Sequence, residues 1–341
     1  MRSYRYRLFG LCVESDYRFK APMTMAPPDA RPELRFHCRI GGQQPAPPVW
    51  DLLCSSPEHN RLGESVVQVY ATPTGLLMRF PRVADFRLSQ GKIACRLVDP
   101  ALGFMIDICL LGHVMSYYLE LSGVAAIHAG AVAYAGRAVL FAADRTGGKS
   151  TLVASLVEAG FALLADDIAA LEQRGGAVMC RPGFPQMKLT TEQAQRFAGG
   201  AEGFGLVHPS FAKLSVPAER VGEVATASLR LVRVYLLERR AEVTEAAPDD
   251  SVSIQPVAPG EALIQLVRHS FLAELLDGHV DYRGFSGAGE CSLRTQRFHR
   301  LSALARAVEV KRLCYPSGYQ HLPAIHGAVR ADLEALSVGD T

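Results

Sequence analysis

The stretch Ala143-Asp-Arg-Thr-Gly-Gly-Lys-Ser-Thr151 decides how this sequence is interpreted, because its glycines, lysine and hydroxyls stand together in one loop. The apolar run Val139-Leu-Phe-Ala142 before it predicts a strand, and the apolar periodicity of residues 149–159 after it predicts a helix. In a loop of this kind, backbone N–H groups converge on phosphate oxygens at a helix N-terminus. Lys149 would then contact the β- and γ-phosphates and Ser150 a Mg²⁺ ion. The alternative is a chance glycine-rich turn.

Two adjacent carboxylates, Asp166 and Asp167, end the apolar run of residues 161–165, which predicts a buried strand. Neighbouring carboxylates repel each other, so each is stabilised by a counter-charge. A Mg²⁺ ion near Ser150 would supply one of them with a partner, and the other could accept the proton of an attacking hydroxyl. The alternative is a turn or helix cap with a solvated neighbour.

Further candidates surround this loop. His128, in Ile127-His-Ala-Gly130, could orient a carboxylate or an incoming hydroxyl, and its alternative is a core histidine. Arg145 could touch a transferring phosphate or be solvated. Lys188 and Lys213 could meet phosphate or be ordinary surface lysines. Arg268-His269 is interpreted as the polar face of a predicted helix.

Length and composition indicate a two-domain globular protein. At 341 residues, with 49% hydrophobic and 21% charged residues, the chain exceeds one ordinary core and is not a disordered polymer. Residues 1–105 form short alternating apolar runs separated by Gly, Pro and Asp turns, which predicts a β-rich N-terminal domain. Residues 106–341 are predicted to form an α/β domain around the phosphate-binding loop.

The net charge, the apolar runs and the cysteines of the sequence limit the kinds of partner that we expect. A net charge of +2 provides no general field for nucleic acid. The longest apolar run, Ile108 to Leu119, is too short to span a bilayer. Eight scattered cysteines without a CxxC pair suggest neither a zinc site nor a disulfide framework. We therefore expect a cytoplasmic protein that binds neither nucleic acid nor membrane; its oligomeric state stays open, a homo-oligomer included.

Three elements in this order resemble the core of the HPr kinase/phosphorylase family: His128-Ala-Gly130, the loop Asp144-Arg-Thr-Gly-Gly-Lys-Ser150, and Leu164-Ala-Asp-Asp167. The wider layout is similar to stand-alone HPr-kinase-like proteins, among them kinases that phosphorylate a serine of lasso-peptide precursors. The resemblance implies a P-loop kinase core of the HPr kinase and phosphoenolpyruvate carboxykinase type, with ATP and Mg²⁺ as cofactors. Ala143 and Thr146 depart from the family loop, which has glycines at both places.

Carried over residue by residue, the resemblance implies roles for the site. Asp166 would be the catalytic base, His128 would support it, and Lys149 would act on the transferred phosphate. Ser150 and Asp167 would hold the metal. The nucleotide would contact the loop residues Asp144, Arg145, Thr146, Gly147, Gly148, Lys149, Ser150 and Thr151.

The function implied by this resemblance is a kinase that transfers the γ-phosphoryl group of ATP to a serine of a peptide or small protein. Two alternatives stay open at the level of sequence. One is a kinase or ATPase acting on a small metabolite, because a phosphate-binding loop does not distinguish acceptor hydroxyls. The other is a nucleotide-binding module whose altered loop does not turn over.

Overall fold

The structure, a computed structural model, describes residues 3–44, 51–240, 251–271, 275, 285 and 292–338. The fold is mixed α/β, and the chain divides into two compact units. The first unit contains Met1–Ala126 and Ser270–Arg300, and the second contains Ile127–His269 and Leu301–Thr341. The C-terminal third therefore contributes to both units, which the sequence does not suggest.

The first unit is built on a mixed sheet with the strand order β3-β1-β2-β4-β9-β8-β7-β6-β5. Neighbouring strands are antiparallel except for the pairs β2/β4 and β4/β9, which are parallel. The strands are β1 Tyr4–Leu8, β2 Leu11–Ser15, β3 Thr24–Met25, β4 Leu34–Ile40, β5 Leu52–Ser55, β6 Gln68–Thr72, β7 Gly75–Phe80, β8 Ala84–Ser89 and β9 Lys92–Leu97. Residues 3–97 of the first unit are thus rich in β-strands.

A long apolar helix, α1 Phe104–Leu121, belongs to the first unit although the sequence assigned it to the second. It contains a π-helical stretch, Leu110–Val114, and most of its side chains are buried. Asp107 accepts the backbone N–H groups of Lys20 and Ala21 at 2.7 and 2.8 Å, and the Tyr118 hydroxyl accepts that of Gly91 at 3.0 Å. These contacts join the helix to the loops between the N-terminal strands, and the division between the units falls after Ala126 rather than after residue 105.

The same helix is relevant to whether the chain could span a membrane. Among the residues that the structure describes, the helix Phe104–Leu121 is both long enough and apolar enough to cross a bilayer. Inside the protein, 72% of this helix is buried. A core helix of a water-soluble protein passes the same test, so one such segment is weak evidence for a membrane span. The expectation of a cytoplasmic protein stays a prediction.

The second unit contains a mixed sheet with the order β14-β15-β19-β12-β11-β13, in which β21 lies beside β19 and β20 beside β21. Strands β12, β19 and β21 run parallel. A short strand β10, Ala125–Ile127, stands where the two units divide. The others are β11 Ala129–Tyr134, β12 Arg137–Ala142, β13 Ala162–Ala165, β14 Ala169–Arg174, β15 Ala177–Arg181, β19 Leu229–Arg240, β20 Ser253–Pro256 and β21 Glu309–Pro316.

A small sheet and several helices complete this part of the chain. The small sheet has the order β16-β18-β17, formed by Gln186–Leu189, Phe211–Pro217 and Leu206–His208. The helices are α2 Lys149–Glu158, α3 Thr191–Phe197, α4 Pro259–Arg268 and α6 Leu322–Val338, whereas α5 Leu293–Ala307 begins in the first unit and ends in the second. The buried core of the second unit joins Phe141, Leu152, Met187, Tyr235 and Ile325, so α2 is covered on several sides.

Local sequence explains where these elements start and meet. Thr190 and Gln193 form a capping box at the start of α3, in which each side chain accepts the backbone N–H of the other residue. In the His128-Ala-Gly130 motif, a side chain at Gly130 would come within 2.6 Å of Val153 Cγ2. The glycine therefore allows β11 to pack closely against α2. Helix α4 begins with Pro259 at its first turn and ends at Arg268.

Candidate functional site

The ends of three neighbouring strands meet at one edge of the second unit's sheet. Strand β11 is antiparallel to both β12 and β13, with Ala129 paired to Ala142 and Ala131 to Ala165. The start of β11 and the ends of β12 and β13 must then lie at the same edge. This topology collects His128, the loop after Ala142 and the carboxylates after Ala165.

The loop between β12 and α2 has the backbone of a helix-terminal anion site. Gly148 is the N-cap of α2, with a left-handed φ of 87° that glycine adopts without steric cost. The Gly147 N–H donates to the Asp144 carbonyl at 3.0 Å, and the Tyr315 hydroxyl donates to the Gly147 carbonyl at 3.3 Å. The first N–H groups of α2 and the positive end of its dipole therefore face the loop.

The two departures from the glycine-rich pattern differ in consequence. Thr146 has a φ of 66°, in the left-handed region that disfavours β-branched residues, and its hydroxyl donates to the Arg145 carbonyl at 2.5 Å. Ala143 has no positive φ and is buried. Only Thr146 thus occupies a conformation that glycine would adopt more easily, whereas the sequence treated both positions alike.

We expect Thr146→Gly to raise the free energy of unfolding by about 0.5–1 kcal/mol, because relief of the left-handed strain exceeds the added entropy of the unfolded chain. Ala143→Gly is the matched control and should lower it by about 1 kcal/mol. Urea unfolding measures both. Calorimetric titration with ADP and Mg²⁺ should show affinity tightened by about threefold in Thr146→Gly only. Equal effects of the two changes would contradict this account of the loop.

Lys149 is buried and forms a connected chain with His128 and Asp167. Its ammonium lies 2.9 Å from His128 Nε2 and 3.9 Å from Asp167 Oδ1. His128 Nδ1 lies 3.2 Å from the same carboxylate oxygen. Burial, together with the charge of Lys149, lowers the pKa of His128 to about 4. His128 is therefore neutral at pH 7, accepts a hydrogen bond from Lys149 at Nε2 and donates one from Nδ1 to the backbone carbonyl of Asp167 at 3.2 Å.

Asp166 and Asp167 differ in their electrostatic environment. The backbone turns at Asp167, whose φ is 71°, so the two side chains diverge. Burial opposes ionisation of Asp167, but Lys188, Lys149 and His128 outweigh it and lower the pKa of this carboxyl group. Burial, reinforced by the charge of Asp167, raises the pKa of Asp166. Asp167 is thus a fixed negative charge, and Asp166 is the better proton acceptor of the two.

His128 therefore contacts a different carboxylate from the one that the sequence suggested. The resemblance pairs His128 with the base Asp166, whereas the imidazole here donates to the backbone carbonyl of Asp167 and lies 3.2 Å from the carboxylate of that residue. Asp166 instead accepts the backbone N–H of Lys188 at 2.8 Å. The histidine orients the Lys149–Asp167 pair.

The small sheet brings two lysines to this edge. Lys188 Nζ lies 2.6 Å from Asp167 Oδ2, and Lys213 Nζ lies 3.5 Å from Ser150 Oγ. Lys188 is paired with Ser215, two residues from Lys213, so both lysines share one face of this sheet. The opposite face carries the buried Leu189, Leu214 and Val216. Lys188 is therefore held at the site by its ion pair with Asp167, whereas Lys213 is an exposed lysine near Ser150.

Ser150 and Asp167 offer the hard oxygen donors that Mg²⁺ takes. Among the described residues, no group of three or more His, Cys, Asp or Glu side chains is arranged to hold a metal. A nucleotide-bound Mg²⁺ needs only one or two protein ligands, with phosphates and water completing the shell. The donor set therefore fits this ion, and Asp167 keeps lone pairs beyond those facing Lys188 and His128.

The remaining loop residues have partners in the same unit. Thr151 Oγ1 accepts the Gln193 side-chain amide at 2.7 Å, and Asp144 accepts Arg268 at 2.6 Å. Arg268 is thus tied to the loop, whereas the sequence placed it on a polar helix face. Arg145 is exposed beside them.

A cavity of about 210 Å³ opens next to the loop. Gly148 and Thr151 line it on the loop side, and Arg239, Tyr315 and Tyr319 line it elsewhere, with Leu322 and Ile325 behind. Its walls combine aromatic and aliphatic surface with one guanidinium group. The sequence missed Arg239, Tyr315 and Gln193, because no motif marks residues that a distant strand or helix brings to a loop.

No profile of a known protein family matches the sequence, and no curated protein matches it either. Among solved structures, the chain is similar to the Hpr(Ser) kinase/phosphatase from Coxiella burnetii, with 12% sequence identity and a TM-score of 0.31. The similarity covers 62% of this chain and 98% of that chain. It is distant and concerns the fold alone, so the functional inference depends on the geometry of the site.

Proposed function

We propose that this protein is an ATP- and Mg²⁺-dependent kinase that transfers the γ-phosphoryl group to a serine hydroxyl of a peptide or small protein. The observation that supports this most directly is the meeting of Lys149, at the N-terminus of α2, with the strand-end carboxylates Asp166 and Asp167. A helix terminus binds phosphate, and a carboxylate pair serves metal and proton transfer.

The nucleotide end of the site follows from the loop. Backbone N–H groups after Gly148 and the ammonium of Lys149 would hold the β- and γ-phosphates. Lys213, close to Ser150, would add positive charge on the same side. When bound, Mg²⁺ would neutralise phosphate charge, with Ser150 and Asp167 as its protein ligands. His128 keeps Lys149 oriented until phosphate takes its place as a partner.

The acceptor end follows from the carboxylates. Asp166 has a raised pKa, so it is the group suited to take the proton of the attacking hydroxyl as the new P–O bond forms. Asp167 stays ionised because three cationic or donor groups surround it. Phosphoryl transfer depends chiefly on such positioning and on charge stabilisation.

A peptide acceptor is favoured over a small metabolite by the hairpin that carries Lys213. The side chain of Phe211 on this hairpin is 62% exposed. Phe211 is two residues from Lys213, so strand alternation puts both on the face that carries the lysines. An apolar surface beside the phosphate loop suits a side chain that flanks an acceptor serine.

The test is incubation of the full chain with labelled ATP, Mg²⁺ and the short peptides encoded next to its gene, followed by mass spectrometry. We expect a gain of one phosphate on a serine of one peptide, abolished by a Ser→Ala change in that peptide. Phosphate release without peptide modification would instead support an ATPase or metabolite kinase. Nucleotide binding without any turnover would support a binding module.

We also propose that the cavity beside Gly148 holds the nucleobase, since its aromatic and aliphatic walls adjoin the loop. Tyr315→Ala should weaken ADP binding by about tenfold, because stacking on an aromatic ring contributes on the order of 1–3 kcal/mol per base. Tyr315→Phe keeps the ring and is the matched control. Calorimetry with pyrophosphate separates the two ends of the ligand: Tyr315→Ala should leave its affinity unchanged, and an equal loss for pyrophosphate would contradict a base pocket.

A further inference from the structure

The outer face of the first unit's sheet carries a basic basin, defined here by His37, Arg39, Arg87, Lys92 and Arg96 around Ala94. Strands β4, β9 and β8 are adjacent, with His37 and Arg87 paired to Ala94 on either side. Arg39 is paired with Arg96 one step further along the strands. The small side chain of Ala94 leaves a depression with a volume of about 410 Å³. All five basic side chains belong to exposed residues.

The carboxylates of this face already have partners. Asp85 forms a buried ion pair with Arg79 at 2.8 Å and also accepts the Gln44 amide at 2.9 Å. Asp16 accepts the Cys38 backbone N–H at 2.8 Å and lies 3.3 Å from His37. Among the described residues, none places a carboxylate within ion-pair distance of Arg39, Lys92 or Arg96. Like charges directly opposite each other on a sheet, such as Arg39 and Arg96, destabilise it, and a bound negative group would relieve that repulsion.

We propose that this basic basin docks an acidic peptide segment in an extended conformation, a binding site separate from the kinase site proposed above. Basic residues recur at two and four positions along the strands, which corresponds to about 7 and 13 Å. Carboxylates at alternate positions of an extended peptide have the same spacing. Guanidinium groups bind carboxylates in bidentate fashion, so Arg39, Arg87 and Arg96 give the site its selectivity for negative charge.

A peptide is favoured over a single-stranded nucleic acid by the composition of the basin. Nucleic-acid grooves combine positive charge with aromatic side chains on which bases stack. None of the residues lining this depression is aromatic, apart from the imidazole of His37 at its rim. The net charge of +2 also gives no general attraction for a polyanion.

Fluorescence anisotropy with the full chain tests the proposal, using a labelled peptide of alternating Glu and Ser and its Gln–Ser analogue. At physiological salt we expect the Glu peptide to bind at least about tenfold more tightly than the analogue. Arg87→Ala/Arg96→Ala should weaken its binding by at least about tenfold. The control Arg61→Ala/Arg220→Ala removes equal charge from exposed arginines elsewhere and should leave the affinity within about twofold.

The proposal is overturned if both peptides bind equally, if the two double variants weaken binding to the same extent, or if oligouridine binds more tightly than the Glu peptide. If the Arg87→Ala/Arg96→Ala variant does not fold, the variant Arg39→Gln/Lys92→Gln removes two other positive charges from the basin. It must then show the same loss of affinity for the Glu peptide. Serine phosphorylation is measured separately in each variant. Loss of docking with intact nucleotide binding therefore distinguishes this site from the kinase site.

Discussion

Replacing Lys149 with methionine should lower turnover by at least about a hundredfold while leaving the protein folded. The ammonium of Lys149 is the cation at the N-terminus of α2 and lies 3.9 Å from Asp167. It would stabilise negative charge on the transferring phosphate, which is worth several kcal/mol in an enclosed site. Methionine keeps the buried apolar stem, so the change removes charge rather than packing.

The rate of phosphate transfer from labelled ATP measures the effect, and Lys20→Met serves as the control because Lys20 is an exposed lysine of the first unit. Circular dichroism at increasing temperature checks folding. Asp167 retains Lys188 and His128 as partners after the change, so we expect a small loss of stability. Activity retained in Lys149→Met would falsify the phosphate-binding assignment of this loop.

Several features of the site follow from the sequence, because strand order leaves little freedom there. The loop, His128 and the carboxylate pair each adjoin one of three consecutive strands of the second unit. Antiparallel pairing of the middle strand with both neighbours then brings all three to one edge. The prediction that these residues assemble rested on apolar periodicity, on the loop motif and on the resemblance to HPr kinase/phosphorylase.

Other features depend on contacts that sequence does not encode locally. Lys188 reaches Asp167 because a separate three-stranded sheet packs its apolar face on α2 and α3, leaving the lysine face toward the carboxylates. Tyr315 reaches the loop from the last strand of the second unit. The sequence predicted two domains but not that Ser270–Arg300 belongs to the first of them, because contacts such as the ion pair of Arg300 with Glu120 join residues far apart in sequence.

The phosphate-binding loop shows, at a single residue, what the sequence does not predict about backbone conformation. Ala143 and Thr146 both replace family glycines, and the letters alone give them equal weight. The backbone shows that Thr146 is in the left-handed region whereas Ala143 is not. A substitution pattern therefore identifies positions to examine, and the dihedral angle decides which of them carries strain.

Asp166→Asn should lower the rate of phosphoryl transfer by about a hundredfold or more, while preserving binding of the Mg²⁺–nucleotide complex. Burial and the neighbouring Asp167 raise the pKa of Asp166, so a neutral amide resembles its protonated form and should be tolerated by the fold. The amide has no basic oxygen with which to accept the hydroxyl proton. Single-turnover kinetics measures the transfer, and calorimetry with ADP and Mg²⁺ measures binding.

Asp167→Asn is the matched variant and should behave differently. It removes the negative charge that lies among Lys188, Lys149 and His128, leaving two partly buried ammonium groups without their counter-ion. Because Asp167 is only partly buried, we expect a loss of about 1–3 kcal/mol in the free energy of unfolding, together with a weaker dependence of nucleotide binding on Mg²⁺.

The two variants together decide how the carboxylates divide their work. Suppose that Asp167→Asn stops phosphoryl transfer but keeps Mg²⁺ binding, and that Asp166→Asn removes the Mg²⁺ dependence of nucleotide binding. The two roles are then reversed, and the base is Asp167, the carboxylate that His128 contacts. Equal loss of nucleotide binding in both would show that the pair acts as one metal site and that the hydroxyl proton goes elsewhere. If Asp166→Asn loses transfer and Asp167→Asn loses the Mg²⁺ dependence, as we expect, then Asp166 is the base. Asp167 is then the negative charge that positions Lys149, Lys188 and the metal.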